Sequence, residues 1–197
     1  CSCGGGIYLS TDDGFTWEES STGMPSETGI DVLVEEDDVL YAASYNRGLY
    51  KSTDAGASWS SVGASILSSV WALAVTGTTI YAAGTLTEGV YVSTDSGQTW
   101  SLMDNGLSDV YIPVLYADSS VVYAGCDNGD IFYATAPGEE WKIAGTGFRS
   151  GNSVHGLAVQ DGALYAATNG GMYVRDANAS AFEMHNTGMF NSLVLSF

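Results

Sequence analysis

The chain has 197 residues, of which 45% are hydrophobic, and its 23 acidic and 5 basic side chains give a formal net charge of −18. This charge disfavours nucleic acid and anionic membranes as partners, because both present negatively charged groups that need Lys and Arg for neutralisation. No stretch approaches the ~20 apolar residues of a membrane-spanning helix, and the length suffices for one domain with a large core.

One phrase recurs along the chain: an apolar residue and an aromatic residue, then Ser-Thr-Asp-x-Gly-x-Thr/Ser-Trp. Clear copies end at Trp17, Trp59 and Trp100, and degenerate copies end at Trp141 and Phe182. The intervals between these five residues are 42, 41, 41 and 41. A period of this size indicates propeller blades, solenoid units or an array.

Each unit is predicted to contain four strands. The phrase itself predicts two, because its residues alternate between two faces until an Asp-x-Gly turn interrupts them. A Tyr-Ala-Ala/Gly strand and a more apolar inner strand precede the phrase. The Tyr-Ala series covers residues 39–43, 80–83, 122–125 and 164–167, and the inner series covers 30–34, 70–75, 110–116, 154–159 and 192–197. Four strands per unit is the content of a propeller blade.

The predicted fold is all-β, a five-bladed β-propeller of four-stranded antiparallel blades that forms a single domain over residues 1–197. Its repeats span about 7–47, 48–88, 89–129, 130–170, and 171–197 together with 1–6. Pairing of the N-terminal segment 1–4 with the C-terminal strand 192–197 would close the ring and leave no free edge. The alternatives are a piece of a larger propeller and a terminal strand donated to another subunit.

The phrase resembles the Asp-box, or bacterial neuraminidase repeat, whose pattern is Ser-x-Asp-x-Gly-x-Thr-Trp. Three copies match, with Ser58 in place of Thr, whereas the fourth has Ala136 and Pro137 where Asp would stand and the fifth ends in Phe182. Ser and Asp bond nearby backbone, Gly accepts a positive φ and Trp supplies apolar surface, so we expect a role in the fold. The residues concerned are Ser10, Asp12, Gly14, Thr16, Trp17, Ser52, Asp54, Gly56, Ser58, Trp59, Ser93, Asp95, Gly97, Thr99 and Trp100.

The resemblance raises the question of neuraminidase activity, which the residues do not favour. Those enzymes hold the substrate carboxylate with three arginines and use a Tyr–Glu pair and an Asp on six blades. Here the arginines are Arg47, Arg149 and Arg175, and the last occupies a degenerate repeat. No Ser-His-Asp order, metal-spaced His/Cys set or phosphate-binding Gly loop occurs. We therefore expect no enzymatic activity, no cofactor and no metal site.

A candidate binding site follows from the register of the inner strands. Asp31, Trp71 and His155 each lie ten residues before a Tyr of the Tyr-Ala series, which places them at one mouth of the central channel. An acid, an indole and an imidazole together suit a sugar or a cation, although each could simply pack against the neighbouring blade. Loops at the same mouth carry further candidates for glycan or protein contacts, namely Tyr45, Arg47, Phe148 and Arg149.

Three cysteines, Cys1, Cys3 and Cys126, form an odd set. In an exported protein this suggests an intermolecular disulfide or a free thiol, and a lipid on Cys1 is a competing interpretation. Low Lys content, abundant Tyr, Gly, Ser and Thr, and a glycosylation sequon at Asn178 favour an extracellular or cell-surface location.

Two classes of function are compatible with these patterns. The favoured one is a non-catalytic extracellular scaffold that binds protein, including copies of itself in a fibre or array. The other is a glycan-binding propeller, or a glycoside hydrolase, that uses the channel mouth. The resemblance narrows the fold far more than the role.

Overall fold

The computed structural model describes residues 6–63, 68–84, 89–107, 111–145, 147 and 151–187. In this part of the chain the regular structure consists of β-strands, and none of it forms a helix that is long and apolar enough to cross a membrane. The strands are β1 (Tyr8–Leu9), β2 (Glu18–Glu19), β3 (Val32–Glu36), β4 (Val39–Ser44), β5 (Gly48–Ser52), β6 (Ser60–Val62), β7 (Ala72–Thr76), β8 (Thr79–Ala83), β9 (Val90–Ser93), β10 (Ser101–Met103), β11 (Val114–Ala117), β12 (Val122–Gly125), β13 (Ile131–Ala134), β14 (Lys142–Ile143), β15 (Val154–Gln160), β16 (Ala163–Thr168), β17 (Gly171–Arg175) and β18 (Glu183–Met184).

The strands form four antiparallel sheets of four strands, in which neighbours in sequence are neighbours in the sheet. We call them blade A (β3–β6), blade B (β7–β10), blade C (β11–β14) and blade D (β15–β18). β1 and β2 form a two-stranded sheet, which we call the half-blade. Inner strands of successive blades pack together, β3 on β7, β7 on β11 and β11 on β15. The prediction of an all-β fold with four-stranded antiparallel blades is confirmed.

The second strand of each blade lies in the core because its small side chains let the adjacent blades approach closely. Ala42, Ala82, Ala124 and Ala166 have no exposed surface. The larger side chains of the same strands, such as Tyr41 at 2% exposure, fill the space between blades. In the described residues the core consists of four clusters, one between each pair of successive sheets, and each depends on dense packing of small and large residues.

The inner strands of blades A and B begin two residues later than predicted, that of blade C begins four residues later, and that of blade D begins at the predicted residue. Asp31 and Trp71 were placed at the starts of these strands, but each lies just before the continuous ladder. Each residue donates only a single backbone hydrogen bond to the second strand, Asp31 N–H to Ala43 O at 2.9 Å and Trp71 N–H to Ala83 O at 2.9 Å. Their side chains consequently extend from the strand ends. The predicted closing strands, 1–4 and 192–197, lie outside the described residues, so ring closure stays a prediction.

Three turns of the same construction follow β1, β5 and β9, and we call them the Ser/Asp turns (10–17, 52–59 and 93–100). In the second, the Ser52 hydroxyl donates to Asp54 Oδ1 at 2.7 Å and accepts the Gly56 N–H at 2.9 Å. The Asp54 carboxylate accepts both the backbone N–H and the hydroxyl of Ser58. The other two turns repeat these bonds. Each carboxylate thus ties both ends of its turn together.

The fourth repeat lacks this Asp, yet a carboxylate still bonds its turn. Glu139 accepts a hydrogen bond from the Thr135 hydroxyl at 2.5 Å, and that bond lowers the pKa of Glu139. A longer acid, three positions after the place of the missing Asp, therefore replaces part of the missing bonding.

Acid should weaken the fold through the Ser/Asp turns. Hydrogen bonds from Ser58 and Thr99 lower the pKa of Asp54 and Asp95 from 3.8 to about 2. A lowered folded-state pKa gives stabilisation that is complete above the unfolded pKa and is lost as the pH falls towards the folded value. We expect the urea midpoint to fall between about pH 5 and pH 2, and to fall less in Asp54→Asn. Asp37→Asn, in an exposed hairpin, should keep the wild-type slope. Equal slopes for all three proteins would contradict this assignment.

Tryptophan joins the half-blade to blade A. The Trp59 N–H donates to Thr22 O at 2.8 Å, and its indole N–H donates to Ser20 O at 2.8 Å. The Ser20 hydroxyl donates in turn to Gly56 O. Trp59 is only 5% exposed. We call this arrangement a blade joint.

The joint between blades B and C repeats the same contacts. The Trp141 N–H donates to Asn105 O at 2.9 Å, and its indole N–H donates to Met103 O at 2.9 Å. Gly106 follows Asn105 with a φ of 89°, and a Cβ there would overlap the Trp141 carbonyl oxygen. Glycine is therefore required at this point by both the backbone conformation and the close approach of the next blade.

Trp17 of the half-blade differs from its equivalents, because 61% of its surface is exposed. Its indole N–H bonds Gly14 O within its own turn at 3.1 Å, as the Trp100 indole N–H bonds Gly97 O at 3.0 Å. On the same half-blade, Phe15 is 87% exposed and Tyr8 is 52% exposed. The half-blade therefore exposes three aromatic side chains.

Candidate functional site

The candidate site lies at the edge where the inner strands begin. In blade A the antiparallel register pairs Val32 with Ala43, so the residue before β3 faces the loop after β4. This places the Asp31 carboxylate beside Tyr45, whose backbone N–H donates to Asp31 Oδ2 at 2.8 Å. Tyr45 is 49% exposed. The acid therefore fixes an aromatic side chain at the surface.

Aromatic rings from three successive blades meet at this edge. The centroids of the Tyr45 and Trp71 rings are 4.3 Å apart with planes tilted by 48°. The Trp71 and Tyr111 centroids are 5.6 Å apart with planes at 89°. We call Tyr45, Trp71 and Tyr111 the aromatic cluster. Tilted and edge-on pairs are favourable ring geometries, so the three side chains stabilise one another while each keeps some exposed surface.

Two carboxylates flank the aromatic cluster. Asp31 lies beside Tyr45, and the Asp127 N–H donates to Tyr111 O at 3.0 Å. Burial raises the pKa of Tyr111, and the negative charges of Asp127 and Asp31 raise it further. The Tyr111 hydroxyl therefore keeps its proton at neutral pH and remains a hydrogen-bond donor.

Blade D contributes a separate polar pair at the equivalent edge. His155 Nε2 lies 2.6 Å from Asn169 Oδ1. Sequence reasoning grouped His155 with Asp31 and Trp71, but the structure brings only the latter two together, through Tyr45. The bond to Asn169 holds the imidazole within blade D.

The remaining predicted residues are distributed over the molecule. Arg47 is exposed in the Tyr45 loop, and Asn178 is exposed in the turn after β17. Phe148, Arg149, Cys1 and Cys3 lie outside the described residues.

Cys126 is buried in blade C, and Arg175 is partly buried between blades C and D. Arg175 donates to Ala144 O and stacks 5.7 Å from the centroid of the Phe182 ring, so it joins blades C and D. Cys126 is free and fully buried, and burial raises the pKa of its thiol to about 12. A disulfide from Cys126 to another molecule would require this edge of blade C to open. In the described ranges, no three His, Cys, Asp or Glu side chains cluster closely enough to hold a metal ion.

Sequence reasoning missed Tyr111 because blade C has a longer first hairpin. Four residues separate β11 from β12, whereas two separate the corresponding strands in blades A, B and D. Tyr111 therefore lies twelve residues before Tyr123 instead of ten. The sequence Asp118-Ser119-Ser120 is typical of a turn and could have indicated the longer hairpin. In the structure the Ser120 N–H donates to Asp118 Oδ1 at 2.7 Å within this turn.

Stacked blades of four antiparallel strands define a β-propeller domain. The sequence model of the DUF6242 beta propeller domain matches residues 4–114, more than half of the chain. The chain belongs to this family. No curated protein matches it.

Several solved structures share this fold, but their sequence identities to this chain are too low to indicate a shared function. The extracellular domain of a protein described as a one component system of B. thetaiotaomicron is 18% identical with a TM-score of 0.71 over 91% of this chain and 26% of its own. An ancestral GH74 enzyme is 21% identical, with a TM-score of 0.68 over 85% of this chain and 25% of its own. YCF48 bound to D1 peptide is 16% identical, with a TM-score of 0.64 over 86% of this chain and 58% of its own. The chain thus spans about a quarter of the first two proteins.

Proposed function

We propose that this propeller is a non-catalytic domain that binds a protein partner outside the cell through the aromatic cluster. The observation that carries the proposal is the meeting of three partly exposed rings from three successive blades at one edge. Aromatic side chains supply large, rigid contact area and are enriched at protein interfaces. Two structural neighbours lend support, one an extracellular domain and the other YCF48 in complex with a peptide.

The state of the polar side chains supports a role without catalysis. Arg175 is engaged between blades, the His155 ring is bonded to Asn169, and the Cys126 thiol is buried and protonated. Each of these groups serves packing or hydrogen bonding. A neuraminidase would need three arginines free to hold one carboxylate. The likeness to a GH74 enzyme concerns the fold alone.

We propose that the aromatic cluster lies on a closed ring of five blades. The half-blade would be completed by residues 1–4 and 192–197, and the Ser/Asp turns would be Asp-boxes. The sequence Thr187-Gly188-Met189 repeats Thr22-Gly23-Met24, where Thr22 O accepts the Trp59 N–H. A copy of that joint on Trp17 would cover its exposed face.

Self-association into a fibre is the second candidate, and the exposure of Trp17 favours it. If residues 187–197 of one copy covered Trp17 of the next, the same joint would link molecules head to tail. Such a heterologous contact generates open assemblies when it does not close. The Trp17 measurements in the Discussion separate the two arrangements.

Selection from a random peptide library tests the proposed function. We expect the wild-type protein to enrich peptides whose affinity falls about tenfold or more when Trp71 is replaced by alanine, as for an interface hot spot. Phe15→Ala, at an exposed aromatic residue far from the cluster in sequence, is the matched control and should bind like the wild type. Enrichment that is insensitive to Trp71→Ala, or binding to a glycan array in its place, would overturn the proposal.

A further inference from the structure

We infer that the aromatic cluster receives a cationic side chain, Lys or Arg, of the partner protein. The inference rests on the proposed function and names the chemistry of its ligand. It depends on the angle between the rings, on the two carboxylates beside them and on the charge of the whole chain.

The rings of the aromatic cluster form a corner. The planes of Trp71 and Tyr111 meet at 89° with their centroids 5.6 Å apart, and Tyr45 lies 4.3 Å from Trp71 on a tilted plane. A cation is attracted to a ring when it lies within about 6 Å of the centroid, and rings at an angle can both reach one cation.

Two carboxylates lie beside this corner. The Asp31 carboxylate is fixed beside Tyr45 by a 2.8 Å hydrogen bond, and Asp127 is fixed beside Tyr111 through its backbone. Burial raises the pKa of the Tyr111 hydroxyl, and the charges of both acids raise it further. The net charge of −18 adds a long-range field that draws basic segments towards the protein.

The charge of Arg47 allows the direction of an effect on binding to be predicted. It lies two residues after Tyr45 in the same exposed loop, so its positive charge opposes a cationic ligand. Removal of this charge should therefore strengthen binding of a cation. The same change should weaken or leave unchanged the binding of an anion or a neutral sugar.

NMR titration of the indole N–H signals with N-acetyl-lysine methylamide, at constant ionic strength, tests the inference. The five tryptophans report separately, and Trp71 should shift with saturation while the buried Trp59 and Trp141 should not. The uncharged norleucine analogue should bind about 2- to 5-fold more weakly. We expect the dissociation constant to rise about threefold in Asp31→Asn and to fall about twofold in Arg47→Gln.

Asp37→Asn removes one negative charge from the hairpin at the other end of blade A and is the matched control. It should leave the dissociation constant unchanged. An unmoved Trp71 signal, equal binding of the norleucine analogue, or equal effects of Asp31→Asn and Asp37→Asn would overturn the inference. If the peptide selection succeeded with sequences lacking Lys and Arg, the inference would fail while the proposed function would stand.

Discussion

Replacing Trp59 with alanine is expected to lower the free energy of unfolding by about 3–5 kcal/mol, the usual cost of removing a buried tryptophan. Trp59 is 5% exposed, and its backbone and indole N–H groups hold Thr22 and Ser20 of the half-blade. The substitution leaves a cavity and an unpaired Ser20 carbonyl, so both the packing and the hydrogen bond are lost. Urea denaturation followed by far-ultraviolet circular dichroism measures this change.

Phe15→Ala is the control for the loss of an aromatic ring. Phe15 is 87% exposed, so its removal should change the free energy of unfolding by less than about 0.5 kcal/mol. A loss for Trp59→Ala as small as that of Phe15→Ala would contradict the role of the blade joint.

The same measurement on Trp17→Ala decides between the proposed arrangements of the half-blade. In a ring closed within one chain, Trp17 lies in a joint like that of Trp59, and its replacement should cost about 3–5 kcal/mol at every protein concentration. In a fibre the cost should grow with protein concentration, because the joint then forms between molecules. A cost below about 1 kcal/mol at all concentrations would remove both arrangements.

The blade content was predictable because it follows from residue types and a period. Local sequence patterns were enough to predict the strands and the turn of each unit. These patterns are the alternation of Leu49 to Ser52, the Asp-x-Gly turn and the two preceding apolar stretches. The precise strand starts were not predictable, since Asp31 and Trp71 each make one backbone bond before the ladder begins. The residue at which the backbone hydrogen bonds become continuous is set by the three-dimensional structure and cannot be read from the sequence pattern.

The candidate site was predictable in part for a related reason. Antiparallel register places Asp31, Tyr45 and Trp71 at one edge once the repeat is aligned. Tyr111 was not predicted, because two extra residues in the first hairpin of blade C displace it from the ten-residue spacing of the other blades. The contrast between Trp17 and Trp59 could not be predicted at all, because the two phrases are nearly identical and burial depends on which blade lies next to each.

Gly106→Ala should be nearly as damaging as the loss of Trp59, although it adds only one methyl group. The residue has a φ of 89°, where an L side chain costs about 1–2 kcal/mol, and the new Cβ would overlap the Trp141 carbonyl oxygen of blade C. Backbone cannot move aside as a side chain can, so blades B and C must separate. We expect a loss of about 3 kcal/mol or more in the free energy of unfolding.

Gly138→Ala isolates the contribution of the joint. Gly138 has a nearly identical φ of 82°, but a Cβ there meets no atom within 4 Å. Its replacement should therefore cost only the backbone strain, about 1–2 kcal/mol. The difference between the two variants in urea denaturation measures the overlap with Trp141 and Glu140 of blade C. Equal losses would mean that the glycine serves only its turn, whereas a larger loss at Gly106 shows that close contact between backbones holds neighbouring blades in place.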